Sequence, residues 1–300
     1  MTKSLLVVIL GPTGVGKTGV AIALAKKFNT SVISADSRQF YKEIPIGTAQ
    51  PSQEELASVK HFFIGENSVA ETIDAGKYAR EAHALLEKEF QKNEIVIMAG
   101  GSGLYIDAVI NGFDALPDAD ETLREELKQK LNEEGIEALQ EELKKLDPEF
   151  YEEVDKNNPS RLMRAIEVCR SSGKKYSELR SGEKKTLPFE VLKIGIDLPR
   201  EELYERINKR VDEMMQAGLE EEVKNVLPYR KQNALQTVGY KELFDYFDGK
   251  ISKEKAVELI KQHSRNYAKR QLTWWRRDSS IKWFSPGEVS SIIEFVSAGG

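Results

Sequence analysis

Leu5-Leu6-Val7-Val8-Ile9-Leu10-Gly11-Pro12-Thr13-Gly14-Val15-Gly16-Lys17-Thr18 decides the fold. An apolar run of buried-strand length leads straight into a complete G-x-x-x-x-G-K-T phosphate loop. Glycine lets the backbone wrap closely round an anion. Successive N–H groups of the Gly11–Gly16 loop, Pro12 having none, and the N-terminus of the next helix then point at it. Lys17 adds a positive charge, and the Thr18 hydroxyl is the candidate ligand for Mg²⁺. The following helix is legible over Thr18–Phe28, where Val20, Ala21, Leu24, Ala25 and Phe28 recur at helical spacing. A nucleotide is the default occupant of such a loop, and a diphosphate ester fits the same cradle.

Two further strand endings belong to the same crevice, because ligands of an open parallel sheet collect at the carboxyl ends of its strands. Ser31–Ala35 reads as a short strand ending in Asp36-Ser37-Arg38-Gln39. Beside a phosphate loop, Asp36 is as good a candidate for a site role as for a local ion pair with Arg38. Glu94–Ala99 reads as another strand, ending in Gly100-Gly101-Ser102-Gly103-Leu104-Tyr105. The acidic Mg²⁺-positioning residue that often ends such a strand is replaced there by glycines and a hydroxyl. Asp197 is the one rival for that role, and it can equally end a structural strand. Strand–helix alternation over 1–117 predicts an α/β fold with a parallel sheet. From 118 to 187 the chain turns helical and highly charged. Leu123, Leu127, Leu131, Leu139, Leu143 and Leu146 mark amphipathic helices there, with breaks at Asp147-Pro148, Asn158-Pro159 and Gly173. Lys184–Pro188 reads as a linker, and Phe189–Leu198 returns to strand. Helices follow over Glu201–Gly218, Leu219–Val226, Gly239–Phe247 and Lys253–Arg277. A short strand, Ile281–Phe284, is expected at the sheet edge, and Ser297–Gly300 as a frayed end. The expectation is a P-loop α/β core of 1–117 plus 188–300 with C-terminal helices, interrupted by a helical insertion at 118–187.

The 300 residues carry a net charge of −5, with 40% hydrophobic content. No apolar run reaches membrane-spanning length, and the N-terminus shows no signal-peptide pattern, so a soluble cytoplasmic protein is expected. The single Cys169 excludes an internal disulfide; it falls at helical spacing with Leu162 and Ile166, as a core thiol would. Charge is unevenly spread. Residues 119–155 hold fourteen Asp/Glu against five Lys/Arg, 156–193 ten Lys/Arg against four Asp/Glu, and 261–282 seven Lys/Arg against one Asp. A polyanion responds to the local field rather than the sum, so two basic segments point toward RNA. Of the aromatics in the second, Tyr267 and Trp274 are expected in the core.

Taken in order, these motifs resemble the tRNA dimethylallyltransferase, or tRNA isopentenyltransferase, family over nearly the whole chain. The resemblance rests on the phosphate loop, Ser34–Gln39, Ile46–Ala49, Gly100–Tyr105, Leu116–Asp120, Arg161–Glu167, Gln236–Tyr240 and Ala268–Trp274. It implies transfer of a five-carbon prenyl group from dimethylallyl diphosphate to the exocyclic amine of the adenosine just 3′ of the anticodon in tRNA, by a monomer using Mg²⁺. It implies that Asp36 takes the amine proton, with Ser102 and Lys17 as the other catalytic groups and Arg210 as a second cation on the diphosphate. It also implies tRNA contacts from Asp36, Ser37, Arg38, Gln39, Ser102, Arg124, Ser160, Arg161, Leu162, Met163, Arg164, Lys269 and Arg270. Departures from the pattern are Ser102 where Thr is usual, Phe62 after His61 where a second His is common, Gln50 for Lys, Asn158 for Asp and Ser264 for Thr. Two alternatives share parts of this machinery, a kinase the loop, the Asp near the second strand and the sheet, and a free-nucleotide prenyltransferase the core chemistry. A P-loop small-molecule kinase leaves the basic C-terminal helices unexplained. A free adenine-nucleotide isopentenyltransferase leaves the insertion unexplained.

Overall fold

The computed structural model describes residues 4–112, 116–117, 120–180 and 186–299. Asp118, Ala119, Lys184, Lys185 and Gly300, named above in a motif, a linker and a frayed end, lie outside the described residues. Two compact units emerge, one of residues 1–110 with 187–300 and one of 111–186.

The first unit opens with β1 (Leu5–Leu10), α1 (Lys17–Phe28), β2 (Val32–Ser34), α2 (Gln53–Ser58), β3 (His61–Phe62), α3 (Ala75–Phe90), β4 (Ile95–Gly100) and α4 (Gly103–Ile110). The second unit holds α5 (Glu121–Glu134), α6 (Ile136–Leu146), α7 (Pro148–Glu153), α8 (Pro159–Ser172) and α9 (Tyr176–Leu179). The first then resumes with β5 (Glu190–Ile196), α10 (Arg200–Gln216), α11 (Leu219–Asn225), α12 (Tyr240–Phe247), α13 (Lys253–Trp275), β6 (Lys282–Phe284) and α14 (Val289–Ser297). The last helix reaches Ser297, so the expected frayed end is shorter than the sequence reading had it.

All six strands are parallel, in the order β3-β2-β4-β1-β5-β6. The chain leaves β1 for β2 on one side and leaves β4 for β5 on the other. The order therefore reverses between β1 and β4, and the crevice opens at their carboxyl ends. β1 is buried on both faces, as its unbroken apolar run requires. Leu6, Val8 and Leu10 pack with Val96, Met98, Tyr78 and Leu243 on one face; Val7 and Ile9 pack with Ile97, Leu24 and Ile207 on the other. Each such buried aliphatic contributes roughly 1.5–3 kcal/mol.

α13 carries the wall of the crevice. Its buried residues, Ala256, Ile260, Ser264, Ala268, Gln271 and Trp275, form one stripe at spacings of four and three. This corrects the expectation for the aromatics. The stripe takes Trp275 into the core and leaves Trp274 41% exposed, while Tyr267 is only partly buried.

The helical unit has its own core of Leu127, Leu139, Leu143, Phe150, Val154, Leu162, Ala165 and Ile166. Its breaks are caps. The Asp147 carboxylate accepts the Phe150 N–H ahead of Pro148 (3.0 Å), and Asn158 Oδ1 accepts the Arg161 N–H ahead of Pro159 (3.2 Å). Gly173 ends α8 with φ 68°. Cys169 is a free, buried thiol. No helix among the described residues is long and apolar enough to cross a membrane.

Candidate active site

The phosphate loop turns from β1 into α1 through glycines whose positions admit nothing larger. A Cβ on Gly11 would stand 2.4 Å from the Ile196 carbonyl oxygen, and Gly16 caps α1 in the left-handed region at φ 102°. No side chain caps α1, so its first N–H groups remain open to an anion. The loop borders a cavity of about 270 Å³ shared with Asp36, Thr48 and Arg210. Lys17 Nζ donates to the Pro12 carbonyl at 2.8 Å. Desolvation in the crevice lowers its pKa to about 8, against the pull of Asp36 and with the push of Arg210. Arg210, from α10, donates to Thr13 Oγ1 at 2.6 Å, while its Nε is buried without a partner. Burial lowers the pKa of this guanidinium too, against the attraction of Asp36. Two desolvated cations lining one hollow favour a multiply charged anion.

A larger cavity of about 590 Å³ adjoins it, sharing Thr13, Asp36, Thr48 and Arg210 and extending past Ser37, Tyr267, His263 and Arg270. Asp36 follows β2, and Ser102 follows β4. Gly100 lets the two strand ends meet: a Cβ there would sit 2.2 Å from the Ala35 carbonyl oxygen. The Ser102 hydroxyl accepts the Ser37 N–H at 3.0 Å and donates to Ser37 Oγ at 3.1 Å. Carboxylate and hydroxyl thus share a rigid corner. Tyr267 closes it. Its ring lines a hollow with Ser37 and Ser102, and burial followed by the Asp36 charge pushes its phenol up to about 12, so it stays neutral. Sequence reasoning placed Tyr267 in the core. The available signal was that Tyr267, Arg270 and Trp274 share a helical face one step off the Ala-Ser-Gln stripe.

Other candidates divide. Gln39 ties its own loop together, its Nε2 donating to the Ala49 carbonyl at 2.8 Å, and Gln50 donates to the Tyr41 carbonyl at 2.8 Å. Arg38 Nη1 donates to the Asn233 carbonyl at 2.5 Å. Arg270 lines the large cavity, but Lys269 faces a different hollow with Arg200, Tyr204 and Arg276. Asp197 pairs with Arg276 at 2.9 Å and is not among the residues lining the phosphate hollow, so it serves the strand end. Sequence reasoning missed Glu222. Its carboxylate accepts the N–H groups of Ile46 (2.7 Å) and Gly47 (2.8 Å) and the Tyr240 hydroxyl (2.6 Å), which seats Thr48 at the cavity wall. Two separate sequence motifs, 46–49 and 236–240, meet there. A Cβ on Gly47 would stand 2.4 Å from the Tyr240 hydroxyl.

In the helical unit, Ser160 and Arg161 are exposed at the start of α8, and Met163 is partly buried. Leu162 is fully buried, and its side chain packs in that unit's core. Arg124 and Arg164 each pair at 3.0 Å with the buried carboxylate of Glu167, and Arg164 also donates to the Pro117 carbonyl at 2.8 Å.

No group of three or more His, Cys, Asp or Glu able to hold a metal occurs among the described residues. The loop hydroxyl of Thr18, which lines the phosphate hollow, suits Mg²⁺ carried mainly by phosphate oxygens, the habit of that ion.

The sequence matches the family model described as IPP transferase over residues 39–278. It is 48% identical to the tRNA dimethylallyltransferase of Cytophaga hutchinsonii, covering 97% of this chain and 96% of that one. It is 47% identical to tRNA dimethylallyltransferase 1 of Bacteroides thetaiotaomicron, covering 97% and 94%. Among solved structures, the tRNA isopentenylpyrophosphate transferase of Bacillus halodurans superposes with TM-score 0.74 at 36% identity, covering 99% and 96%. A eukaryotic dimethylallyltransferase captured acting on tRNA superposes with TM-score 0.79 at 28% identity, covering 96% and 75%.

Proposed function

The chain belongs to the IPP transferase family, and we propose that it transfers the dimethylallyl group of dimethylallyl diphosphate to the exocyclic amine of the adenosine just 3′ of the anticodon in tRNA. The observation carrying this reading is the meeting in one crevice of a phosphate cradle, with the orphaned Arg210 Nε, and a carboxylate–hydroxyl corner of Asp36 and Ser102. A kinase can use a cradle and a carboxylate too; what favours alkylation over phosphoryl transfer is that the relatives sharing this sequence are named for tRNA prenylation.

In this reading the loop N–H groups, Lys17 and Arg210 hold the diphosphate. Negative charge grows on it as the allylic C–O bond breaks, and the fixed cations stabilise that charge without reorganising. Mg²⁺ on Thr18 and the diphosphate would add charge neutralisation. The adenine nitrogen attacks the allylic carbon, the C–N bond forms, diphosphate leaves, and the amine proton passes to Asp36. A base so positioned is worth about 10²–10⁴-fold. Ser102, held by Ser37, orients the amine. Tyr267 supplies a neutral wall for the adenine, which must leave its stack to enter. Exposed cations such as Arg161 and Arg270 act on RNA phosphates, and such an enzyme works in the cytoplasm. Neither alternative gains support, since the relatives above are named for tRNA prenylation.

The test is mass spectrometry of tRNA after incubation with dimethylallyl diphosphate and Mg²⁺. One prenyl group on the adenosine 3′ of the anticodon is expected. Unmodified tRNA, with phosphoryl transfer from ATP to a small acceptor, would instead mark a kinase.

A further inference from the structure

Gln271 stands where β1 and β4 part company. The two strands are ladder neighbours up to the pair Leu10 and Gly100. Beyond it one chain becomes the phosphate loop and the other becomes Gly101-Ser102. The side-chain amide of Gln271, only 6% exposed, spans that gap. Its Oε1 accepts the Thr13 N–H at 2.8 Å, and its Nε2 donates to the Gly101 carbonyl at 2.8 Å. Both ends of the amide are engaged, so its orientation is set: turned over, it would put donor against donor and acceptor against acceptor. The approach depends on residue 101 being glycine, since a Cβ there would fall 2.4 Å from Nε2. On its far side Thr13 is held by Arg210 (2.6 Å), and beyond Gly101 the Ser102 hydroxyl is held by Ser37 (3.0 Å).

We infer that Gln271 is a positioning residue that fixes the separation between the diphosphate cradle and the amine-binding corner. The inference rests on the prenyl-transfer reading above. Alkylation of the amine requires the nitrogen and the allylic carbon about 3–3.5 Å apart and aligned, and a misplacement of about 1 Å costs about 10²-fold. The two reacting partners are held by different strand ends, and the Gln271 amide bridges those ends. It acts through main-chain groups of both halves and reacts with neither substrate.

Gln271→Met keeps length and bulk but leaves the Thr13 N–H and the Gly101 carbonyl without this partner. Its single-turnover transfer rate at saturating donor and stem–loop is expected to fall about 10–100-fold, with donor and stem–loop affinities close to wild type and a melting temperature lower by a few degrees, as the buried Gly101 carbonyl loses its partner. Gln271→Glu supplies the second readout. A protonated carboxyl reproduces the acceptor–donor pair, and an ionised one opposes the Gly101 carbonyl. The rate of this variant relative to wild type should therefore rise as pH is lowered from about 8 to about 6, while the ratio for Gln271→Met stays flat. Asp36, Lys17, Arg210, Tyr267 and Arg270 face the same region and are present in variant and wild type alike, and the flat ratio of Gln271→Met is the control for them. General damage to the fold would not titrate in this way. If Gln271→Met does not fold, the pH ratio of Gln271→Glu decides alone. A wild-type single-turnover rate in Gln271→Met, a loss confined to substrate affinity, or a pH-independent ratio for Gln271→Glu overturns the inference. Wild-type protein that leaves the same stem–loop unmodified overturns the prenyl-transfer reading itself, and this inference with it.

Discussion

Arg210 and Arg164 are both arginines that the sequence offers as ligands for phosphate, and the two units of the molecule treat them differently. In the α/β unit Arg210 is drawn into a hollow, desolvated and left with a buried Nε that nothing satisfies. In the helical unit Arg164 is engaged by Glu167 and by the Pro117 carbonyl, and Arg124 is engaged by the same carboxylate. An unsatisfied buried donor costs about 1–3 kcal/mol. That cost is tolerated where a ligand recovers it and avoided where the group only holds helices together. A cation desolvated beside the phosphate loop is therefore a candidate ligand, and one held by a buried carboxylate is a candidate framework residue, even when both lie in equally suggestive motifs.

Substitutions can break this contrast. The largest effect should come from the crevice. Asp36→Asn keeps the shape of the side chain but cannot take a proton, so single-turnover transfer should fall about 10²–10⁴-fold with little change in tRNA affinity. A near-normal rate would remove Asp36 as the base. Next comes the framework of the helical unit. Glu167→Ala should destabilise it by about 2–3 kcal/mol, less than the ~3–5 of a fully buried pair because Arg124 and Arg164 retain access to water. Denaturant unfolding measures this, and an unchanged midpoint would show that the carboxylate does not organise these arginines. A smaller effect separates the arginines of α8. Arg161→Ala should reduce the slope of log affinity for stem–loop RNA against log salt by up to about one unit. Arg164→Ala should leave that slope unchanged while lowering stability. Equal slope changes would mean that Arg164 releases Glu167 to grip RNA.

The smallest effect is a pH dependence. In the free protein Lys17 has its pKa lowered to about 8, and only the charged amine attracts the diphosphate. Donor kcat/KM should then decline above pH 8, roughly fivefold by pH 9, and donor binding near pH 8.5 should take up a proton as Lys17 recharges. Calorimetry in buffers of different ionisation enthalpy detects that uptake. Its absence would place the Lys17 pKa elsewhere.

What the sequence made legible follows the same division. The phosphate loop, the strand ends at Asp36 and Ser102 and the helices from α10 to α13 were readable within a residue or two, because period, glycines and caps are local signals. Glu222, Tyr240 and Gln271 were not readable as site-shaping residues. Each acts across 170 residues or more of chain, or on main-chain groups, and leaves no periodic trace. Trp274 was misread because one step along α13 exchanges core for crevice. Arg124 and Arg164 read as free cations because their shared partner, Glu167, lies on the buried side of α8.

The central claim is that this crevice alkylates an adenosine presented by a large polyanion. Initial rates with an anticodon stem–loop and with AMP, at saturating dimethylallyl diphosphate and Mg²⁺, test it most directly. Remote RNA contacts can be used to orient the amine against the allylic carbon, so kcat/KM for the stem–loop should exceed that for AMP by several orders of magnitude. Comparable values for the two acceptors would contradict the account and identify a free-nucleotide enzyme.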